Sequence, residues 1–169
     1  LWIFQNFFAF SKKVLITGSS SGIGKATAEL FLKNDVPVVG IARQHKKFIH
    51  KSKLYEPIEA DLSLIESLPK LITTILQEHP DIDVFIGNAG YGDFQSIENF
   101  SANQIQNFLN LNLISHITLC RFIVSHMRYE KNGTIFFIGS ESGLVGKKKG
   151  TLYSCLLYTS DAADDRSWV

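Results

Sequence analysis

The sequence has little cysteine, little net charge and no long apolar run, and each shortage excludes a class of protein. Its two cysteines, Cys120 and Cys155, form neither a metal-ligand spacing nor a disulfide framework, so we expect no metal site and a reducing, cytoplasmic location. The formal net charge of +1 provides no strong field for nucleic acid or an acidic partner. No uninterrupted apolar run of about 18 residues occurs, so we expect no membrane-spanning segment.

What is present is the composition of one globular domain. Hydrophobic residues make up 45% of the chain and charged residues 20%, which supports a real hydrophobic core. The first residues, LWIFQNFFAF, lack the positive segment and cleavage site of a signal peptide. We interpret residues 1–11 as a non-native or disordered extension, and a membrane-touching anchor is the alternative.

Short apolar runs alternate with amphipathic stretches along the chain. Buried strands are predicted at 14–17, 36–41, 54–60, 83–87 and 134–139, and Pro57 weakens the third of these. Helices are predicted at 22–34, 63–78 and 102–129 from their apolar spacing. Strands that alternate with helices form a parallel sheet covered on both faces. The predicted fold class is therefore α/β, a Rossmann-type doubly wound parallel sheet.

The segment TGSSSGIG joins the first predicted strand to the first predicted helix. Gly18 allows the tight turn, Gly22 lets the backbone approach a pyrophosphate, and Gly24 lets the helix pack close to the sheet. The helix N-terminus presents N–H groups and a positive dipole end to phosphates. This strand-turn-helix context favours a dinucleotide site over an ordinary turn. The predicted cofactor contacts in this loop are Gly18, Ser20, Ser21, Gly22, Ile23 and Gly24.

The spacing Thr-Gly-x-x-x-Gly-x-Gly resembles that of the short-chain dehydrogenase/reductase family, and the resemblance runs from about Lys12 to Ser154. The triplet Asn88-Ala89-Gly90 is similar to the family's Asn-Asn-Ala-Gly motif, with Gly87 in place of the first Asn. The resemblance implies that this triplet stabilises the central sheet and lines the adenosine side of a nicotinamide dinucleotide site.

The resemblance also assigns a role to the segment after the third predicted strand. Asp61, followed by Leu62, resembles the family's acidic residue that contacts the adenine amino group. Because Asp and Ser are both good N-terminal signals, a helix cap formed by Asp61 ahead of Leu64 is an open alternative.

Three polar residues match the family's catalytic positions. Asn112 lies in Leu-Asn-Leu, where the resemblance implies a distorted helix and a held water; an exposed polar position is the alternative. Ser140 follows the fifth strand, and Tyr153 comes thirteen positions later, which is the family's separation. The implied reaction interconverts a carbonyl and an alcohol by hydride transfer, with Tyr153 moving the proton and Ser140 polarising the carbonyl.

The pattern breaks at Leu157, where the family has a lysine that lowers the pKa of the tyrosine. As written, the chain is expected to be nearly inactive. From Cys155 the chain reads CLLYTSDAADD, which resembles one reading frame of a transposon-end sequencing adaptor. We therefore interpret residues 12–154 as an incomplete domain, truncated after about strand five, and 155–169 as an adaptor artefact; a divergent terminus is the alternative.

The end of the second strand favours NADP(H) over NAD(H). NAD-preferring relatives have an acidic residue there, which accepts hydrogen bonds from the ribose 2′-OH, whereas this chain has Ala42. The next residue, Arg43, can donate bidentate hydrogen bonds to a 2′-phosphate, and Lys46 and Lys47 add positive charge. A solvated basic loop is the alternative interpretation.

Two other functions compete with the enzyme. A non-catalytic dinucleotide-binding sensor or remnant needs no Asn112, Ser140 and Tyr153 at catalytic spacing, so their presence favours the enzyme. A nucleic-acid binder using residues 45–53 matches no known motif. We expect a small-molecule carbonyl or alcohol substrate, no nucleic-acid or membrane partner and, from the resemblance, a homodimer or homotetramer in the complete protein.

Overall fold

A computed structural model describes Phe8 and residues 11–45, 52–143 and 148–161. Five strands form one sheet in the order β3-β2-β1-β4-β5, and every neighbouring pair is parallel. The predicted fold class, an α/β doubly wound parallel sheet, is confirmed. The strands are β1 Val14–Thr17, β2 Val38–Ala42, β3 Tyr55–Glu59, β4 Val84–Gly87 and β5 Thr134–Phe137.

Helices flank the sheet on both sides. They are α1 Gly22–Lys33, α2 Leu68–Glu78, α3 Ala102–Leu109, α4 Ser115–Glu130 and α5 Thr151–Asp161. A π-helical segment, Asn110–Ile114, joins α3 to α4 and interrupts the single long helix that the sequence predicts. The helix predicted from residue 63 begins later, because a 3₁₀ turn at Ile65–Ser67 precedes α2. Helix α5 was not predicted.

The sheet order reverses at β1. The chain adds β2 and β3 on one side of β1, then crosses to the other side to form β4 and β5. In an open parallel sheet such a reversal leaves a crevice outside the carboxyl ends of the two adjacent strands, here β1 and β4, from which the chain continues to opposite sides of the sheet. The candidate site is therefore expected above the ends of β1 and β4.

Two hydrophobic cores lie on opposite faces of the sheet. Successive residues of a strand point to opposite faces, so Leu15 and Phe85 pack with helices α2 and α4. Ile16 and Ile86 belong to the other cluster, which α1 covers. Strands β1, β2 and β4 are buried along their whole length, as expected for parallel strands with both faces covered.

Among the described residues, one helical stretch, Ala102–Glu130, is long and apolar enough by length and composition to cross a membrane, with an 18-residue window of mean hydropathy 1.3. Core helices of soluble proteins pass the same test. Leu119, Ile123 and Met127 of this stretch are buried in the core that covers the sheet. Ile114 and Ile117 of the same stretch are exposed, so packing against the sheet accounts for one side of the stretch only.

Candidate functional site

A cleft of about 1620 Å³ lies at the carboxyl ends of the strands. This volume exceeds that of a typical drug-sized site and suits a large ligand. Of the predicted site residues, Gly24 and Asp61 lie outside the lining of the cleft. The predicted residues that line it are Gly18, Ser20, Ser21, Gly22, Ile23, Arg43, Leu62, Asn88, Ala89, Gly90, Asn112, Ser140 and Tyr153.

The turn between β1 and α1 has the geometry of an anion cradle. Gly18 and Gly22 have φ angles of 69° and 53°, in the left-handed region that favours glycine. A Cβ at Gly22 would meet no protein atom within 4 Å, so that side of the turn is open to a ligand. Helix α1 begins at Gly22, and the side chain of its N-cap residue Ser21 makes no capping hydrogen bond. Unpaired N–H groups at such a terminus bind phosphate oxygens.

Gly24 contributes through packing and does not contact the cleft. A Cβ at Gly24 would collide with the carbonyl of Gly18 and the side-chain amide of Asn88. The absence of a side chain therefore lets α1 lie close to the end of β1, the role that its place in the motif predicts.

The end of β4 is joined to the end of β1 through Thr17. The Thr17 hydroxyl is buried and accepts hydrogen bonds from the backbone N–H groups of Asn88, at 2.9 Å, and Ala89, at 3.0 Å. The Asn88 amide donates to the Thr17 carbonyl at 2.9 Å. Thr17 belongs to the glycine-rich motif but was not predicted as a site residue, although a hydroxyl residue that ends a buried strand before that turn could have signalled its role.

Gly87, which departs from the family motif, leaves space that other side chains fill. A Cβ at Gly87 would lie 2.6 Å from Cδ1 of Phe137 and 3.2 Å from Cδ2 of His116. His116 was also missed by sequence analysis, and it lines the cleft. Its Nδ1 lies 3.3 Å from the carbonyl oxygen of Asn112. Because a carbonyl only accepts, Nδ1 carries the proton, and burial lowers the pKa of His116 below 6.5.

Asn112 lies in the π-helical segment and faces the cleft. Its amide oxygen accepts from the N–H of Tyr91 at 2.9 Å, and its amide nitrogen donates to the carbonyl of Phe108 at 2.9 Å. A Cβ at Gly90 would lie 2.6 Å from the same amide oxygen, so glycine is needed there. Asn112 is half-buried with both ends of its amide bonded, unlike the exposed polar residue of the alternative interpretation. π-Helical bulges occur frequently at functional sites.

Ser140 and Tyr153 reach the same cleft from β5 and α5. The Ser140 hydroxyl oxygen accepts from the N–H of Ser142 at 3.3 Å. The half-buried ring of Tyr153 packs edge-to-face against Phe94 and Phe108, with centroids 5.9 and 6.0 Å apart. Leu157 also lines the cleft, one helical turn after Tyr153.

The β2 side of the cleft carries the predicted adenosine contacts. Arg43 is exposed and lines the cleft, whereas Lys46 and Lys47 lie outside the described residues. Partial burial raises the pKa of Asp61, but hydrogen bonds from Ser63 and the charge of Arg43 outweigh it, so this pKa lies below 3.8. Asp61 accepts from the Ser63 N–H at 2.9 Å and the Ser63 hydroxyl at 2.7 Å. These bonds form a turn at residues 61–63, but the 3₁₀ segment that follows has no side-chain capping hydrogen bond, so Asp61 does not cap a helix there. The adenine contact stays a prediction.

The segment considered as a nucleic-acid binder starts with a buried residue. His45 is only 6% exposed, and residues 46–51 lie outside the described part of the chain. The imidazole of His45 is therefore not part of a solvent-facing basic surface.

Comparisons with known proteins agree with this geometry. A family model described as short chain dehydrogenase matches residues 12–155. The chain is 29% identical over 141 residues to 3-ketodihydrosphingosine reductase of Bacteroides thetaiotaomicron, covering 83% of this chain and 51% of that protein. It is 28% identical over 152 residues to the NADP-dependent 3-hydroxy acid dehydrogenase of Schizosaccharomyces pombe, covering 84% and 59%. The chain thus spans about half the length of these relatives.

Solved structures with the same fold contain either dinucleotide. The structure of ElxO with NADP bound has a TM-score of 0.80 and 26% identity, covering 91% of this chain and 65% of that one. A short chain dehydrogenase of Leptospira borgpetersenii with bound NAD+ has a TM-score of 0.82 at 22% identity, covering 91% and 64%, and shows the fold alone.

Proposed function

The chain belongs to the short-chain dehydrogenase family, and we propose that it is the cofactor-binding part of an NADP(H)-dependent oxidoreductase that interconverts a carbonyl and an alcohol. The observation that carries the proposal is a single cleft lined by the glycine-rich turn together with Asn112, Ser140 and Tyr153. A dinucleotide-binding sensor would need the turn but not the three polar groups. The substrate is a small molecule, and the complete protein is a cytoplasmic homodimer or homotetramer.

The residues present fit a nicotinamide dinucleotide. The open side of Gly22 and the uncapped start of α1 would hold the pyrophosphate, because both present backbone N–H groups without a side chain in the way. Arg43 would hold the 2′-phosphate, with Asp61 and Leu62 at the adenine and the triplet from Asn88 to Gly90 beside the adenosine. When bound, the dinucleotide exchanges a hydride with the substrate carbon.

The protein's part in the reaction is to position the carbonyl and to move a proton at its oxygen. The hydroxyl of Ser140 polarises that oxygen, and the hydroxyl of Tyr153 gives or takes the proton. A tyrosine performs this near neutral pH only if its pKa is lowered from about 10, which requires a nearby cation. Leu157 supplies none.

We therefore propose that residues from Cys155 onward are not native to this enzyme and that lysine belongs at position 157. Helix α5 supports the second point, because residue 157 lines the same cleft as Tyr153 one turn away. The family match ends at residue 155, one residue into the adaptor-like string, and so supports the proposal that this string is not native.

The cofactor preference can be tested by titrating the protein with NADPH and NADH. We expect tighter binding of NADPH, and we expect Arg43→Ala to weaken it about 10- to 100-fold with little change for NADH, since one charged contact to phosphate contributes roughly 1.5–3 kcal/mol. Arg128→Ala is the matched control, because Arg128 is exposed on α4 and lies outside the cleft lining. Equal NADH affinity that Arg43→Ala leaves unchanged would contradict the preference.

The identity of residue 157 can be tested by resequencing the source DNA with a different library chemistry. We expect an independent read to encode lysine at position 157 and further residues beyond it. In the protein so encoded, Tyr153→Phe should abolish carbonyl reduction while leaving NADPH binding in place, and so should replacing the lysine at position 157 by leucine. If the residues from Cys155 to Asp165 persist in that read, the artefact interpretation is wrong. The chain is then a lysine-less dinucleotide-binding remnant.

A further inference from the structure

A buried chain of polar side chains lies behind the β2 side of the cleft. Ser19, Tyr55 and His45 are 0%, 8% and 6% exposed, and none of them lines the cleft. The hydroxyls of Ser19 and Tyr55 are 3.0 Å apart, and the Tyr55 hydroxyl is 3.1 Å from Nδ1 of His45. The three residues come from the β1–α1 turn, the edge strand β3 and the segment after β2. The chain therefore joins three separate parts of the fold.

The direction of each hydrogen bond follows from the carbonyl at one end. The carbonyl oxygen of Ile58 lies 3.1 Å from Nε2 of His45, and because a carbonyl only accepts, Nε2 carries a proton. Nδ1 then accepts from the Tyr55 hydroxyl, which uses its single proton there. The Ser19 hydroxyl must therefore donate to Tyr55. The bonds run in one direction, Ser19 to Tyr55 to His45 to Ile58.

Strand β2 leaves room for this hydrogen-bond chain at Gly40. A Cβ at Gly40, in the middle of β2, would collide with the hydroxyl oxygens of both Ser19 and Tyr55. Glycine at this position therefore makes the space in which the two hydroxyls meet. Burial raises the pKa of Tyr55 above 10, although its hydrogen bond with Ser19 acts in the opposite direction. The raised pKa keeps the Tyr55 hydroxyl protonated, as the direction of the hydrogen bonds requires.

The His45 end fixes the segment that carries Arg43. The backbone N–H of His45 donates to the carboxylate of Glu59 at 3.3 Å, so His45 is held through both its main chain and its ring. Ala42, at the other end of the segment, is buried, and its carbonyl accepts from the N–H of Ala60 at 3.0 Å. Arg43 and its neighbour Gln44 are the only residues between these two anchors. Both are exposed and line the cleft.

We propose that the Ser19–Tyr55–His45 chain is a positioning device that holds Arg43 at a fixed place relative to the phosphate-binding turn, and so sets the selectivity for a dinucleotide with a 2′-phosphate. The proposal rests on the proposed function of the cleft. Ser19 lies between two lining residues of the turn, Gly18 and Ser20, so each end of the chain reaches one of the two subsites. Losing this hydrogen-bond chain makes the position of Arg43 less fixed but leaves the charge of Arg43 in place.

The test removes one oxygen atom. Tyr55→Phe keeps the ring but deletes the central hydroxyl, so Ser19 and His45 lose their common partner. We expect the Kd for NADPH to rise roughly 5- to 20-fold and the Kd for NADH to change less than about 2-fold, because only NADPH uses Arg43. Tyr129→Phe is the matched control, since Tyr129 is 84% exposed at the end of α4.

A second measurement follows the segment directly. Hydrogen exchange at the amides of Arg43, Gln44 and His45 should become faster in Tyr55→Phe and stay unchanged in Tyr129→Phe. This readout works without bound dinucleotide. Ser19→Ala, which is smaller and removes the first donor, replaces Tyr55→Phe if the latter fails to fold, and it should give the same selective loss of NADPH binding.

Arg43→Ala, measured in parallel, separates the two proposals. If Arg43→Ala weakens NADPH binding selectively but neither Tyr55→Phe nor Ser19→Ala changes selectivity or exchange, the positioning chain is refuted and the cofactor preference stands. If Arg43→Ala has no effect, the preference fails; faster exchange of the segment in Tyr55→Phe then still supports anchoring by the chain, and unchanged exchange refutes it. Equal weakening of both cofactors by Tyr55→Phe would indicate a structural role only and would overturn the inference.

Discussion

The edge strand β3 exposes Glu56, Pro57 and Glu59 to solvent, whereas β5, at the opposite edge, exposes the rings of Phe136 and Phe137. The one large aromatic side chain of β3, Tyr55, is 8% exposed, while Phe137 is 55% exposed. Charged residues and proline on an edge strand prevent another strand from pairing with it, and an apolar edge invites pairing. The two edge strands therefore differ in their exposed surfaces. Strand β3 presents charged residues and proline, whereas β5 presents large apolar side chains.

This difference extends to the cleft. On the β2 side, the turn and the Arg43 segment are held by buried hydrogen bonds to neighbouring elements, and Thr17 ties Asn88, at the end of β4, to the central strand β1. On the β5 side, Ser140 follows the exposed residues Phe137 and Ile138, and the ring of Tyr153 packs against the exposed Phe94 as well as the buried Phe108. We infer that the proposed dinucleotide-binding residues are held more firmly than the proposed catalytic residues, which lie beside the exposed aromatic side chains of β5. We expect the chain as written to be poorly stable and prone to self-association for this reason.

The largest expected effect comes from truncating one aromatic side chain on each edge. Tyr55→Ala should lower the free energy of unfolding by about 3 kcal/mol or more, because it creates a cavity and breaks a buried hydrogen-bond chain. Phe137→Ala should cost less than about 1 kcal/mol, because over half of its surface is already exposed. Urea unfolding of both variants measures the difference, and equal losses would show that β5 is as well covered as β3.

A smaller effect is expected at the opposite end of the sheet, where Asp83 anchors the β5 side. Its buried carboxylate accepts from the N–H of Lys12 at 3.0 Å, and Asn132, just before β5, donates to it at 3.3 Å. Asp83→Ala leaves these donors unpaired and should cost about 1–3 kcal/mol in unfolding free energy. Asp81→Ala, the control, removes only an ion pair between the exposed carboxylate of Asp81 and the half-buried Lys13, and should cost less than about 1 kcal/mol. If both cost the same, Asp83 does not anchor β5.

The smallest expected effect is a dependence of the unfolding free energy on pH, caused by the buried ring of His116 in the cleft. Burial lowers the pKa of His116 in the folded protein, so the unfolded chain binds its proton more readily. Stability should therefore be full above about pH 6.5 and fall as the pH drops below it toward the folded pKa. His116→Gln should remove this part of the slope in unfolding midpoints measured between about pH 5 and 7. A slope that is the same in the variant would mean that the ring stays accessible to protons.

The sequence was most informative where one local pattern decides the structure. The run from Val14 to Thr17 forms β1 with the predicted bounds, because an apolar, β-branched run before glycine fits only a buried strand here. Pro57, which weakened the third predicted strand, is tolerated because β3 lies at the edge of the sheet. The distortion at Asn112 was expected only from the family resemblance, since the apolar periodicity of a helix hardly changes across one bulge.

Sequence by itself determined the α/β fold class and the residues that come together above β1 and β4. These features follow from patterns within short stretches of the chain, which the sequence alone shows. They are strand and helix periodicity, the glycine spacing and the offset of Ser140 from Tyr153. Only the tertiary structure revealed Thr17, His116 and the Ser19–Tyr55–His45 chain. Each works through partners distant in sequence, such as Thr17 with Asn88, 71 positions away. No local pattern encodes such a pair, because the hydrogen bond exists only once the parallel strands lie side by side.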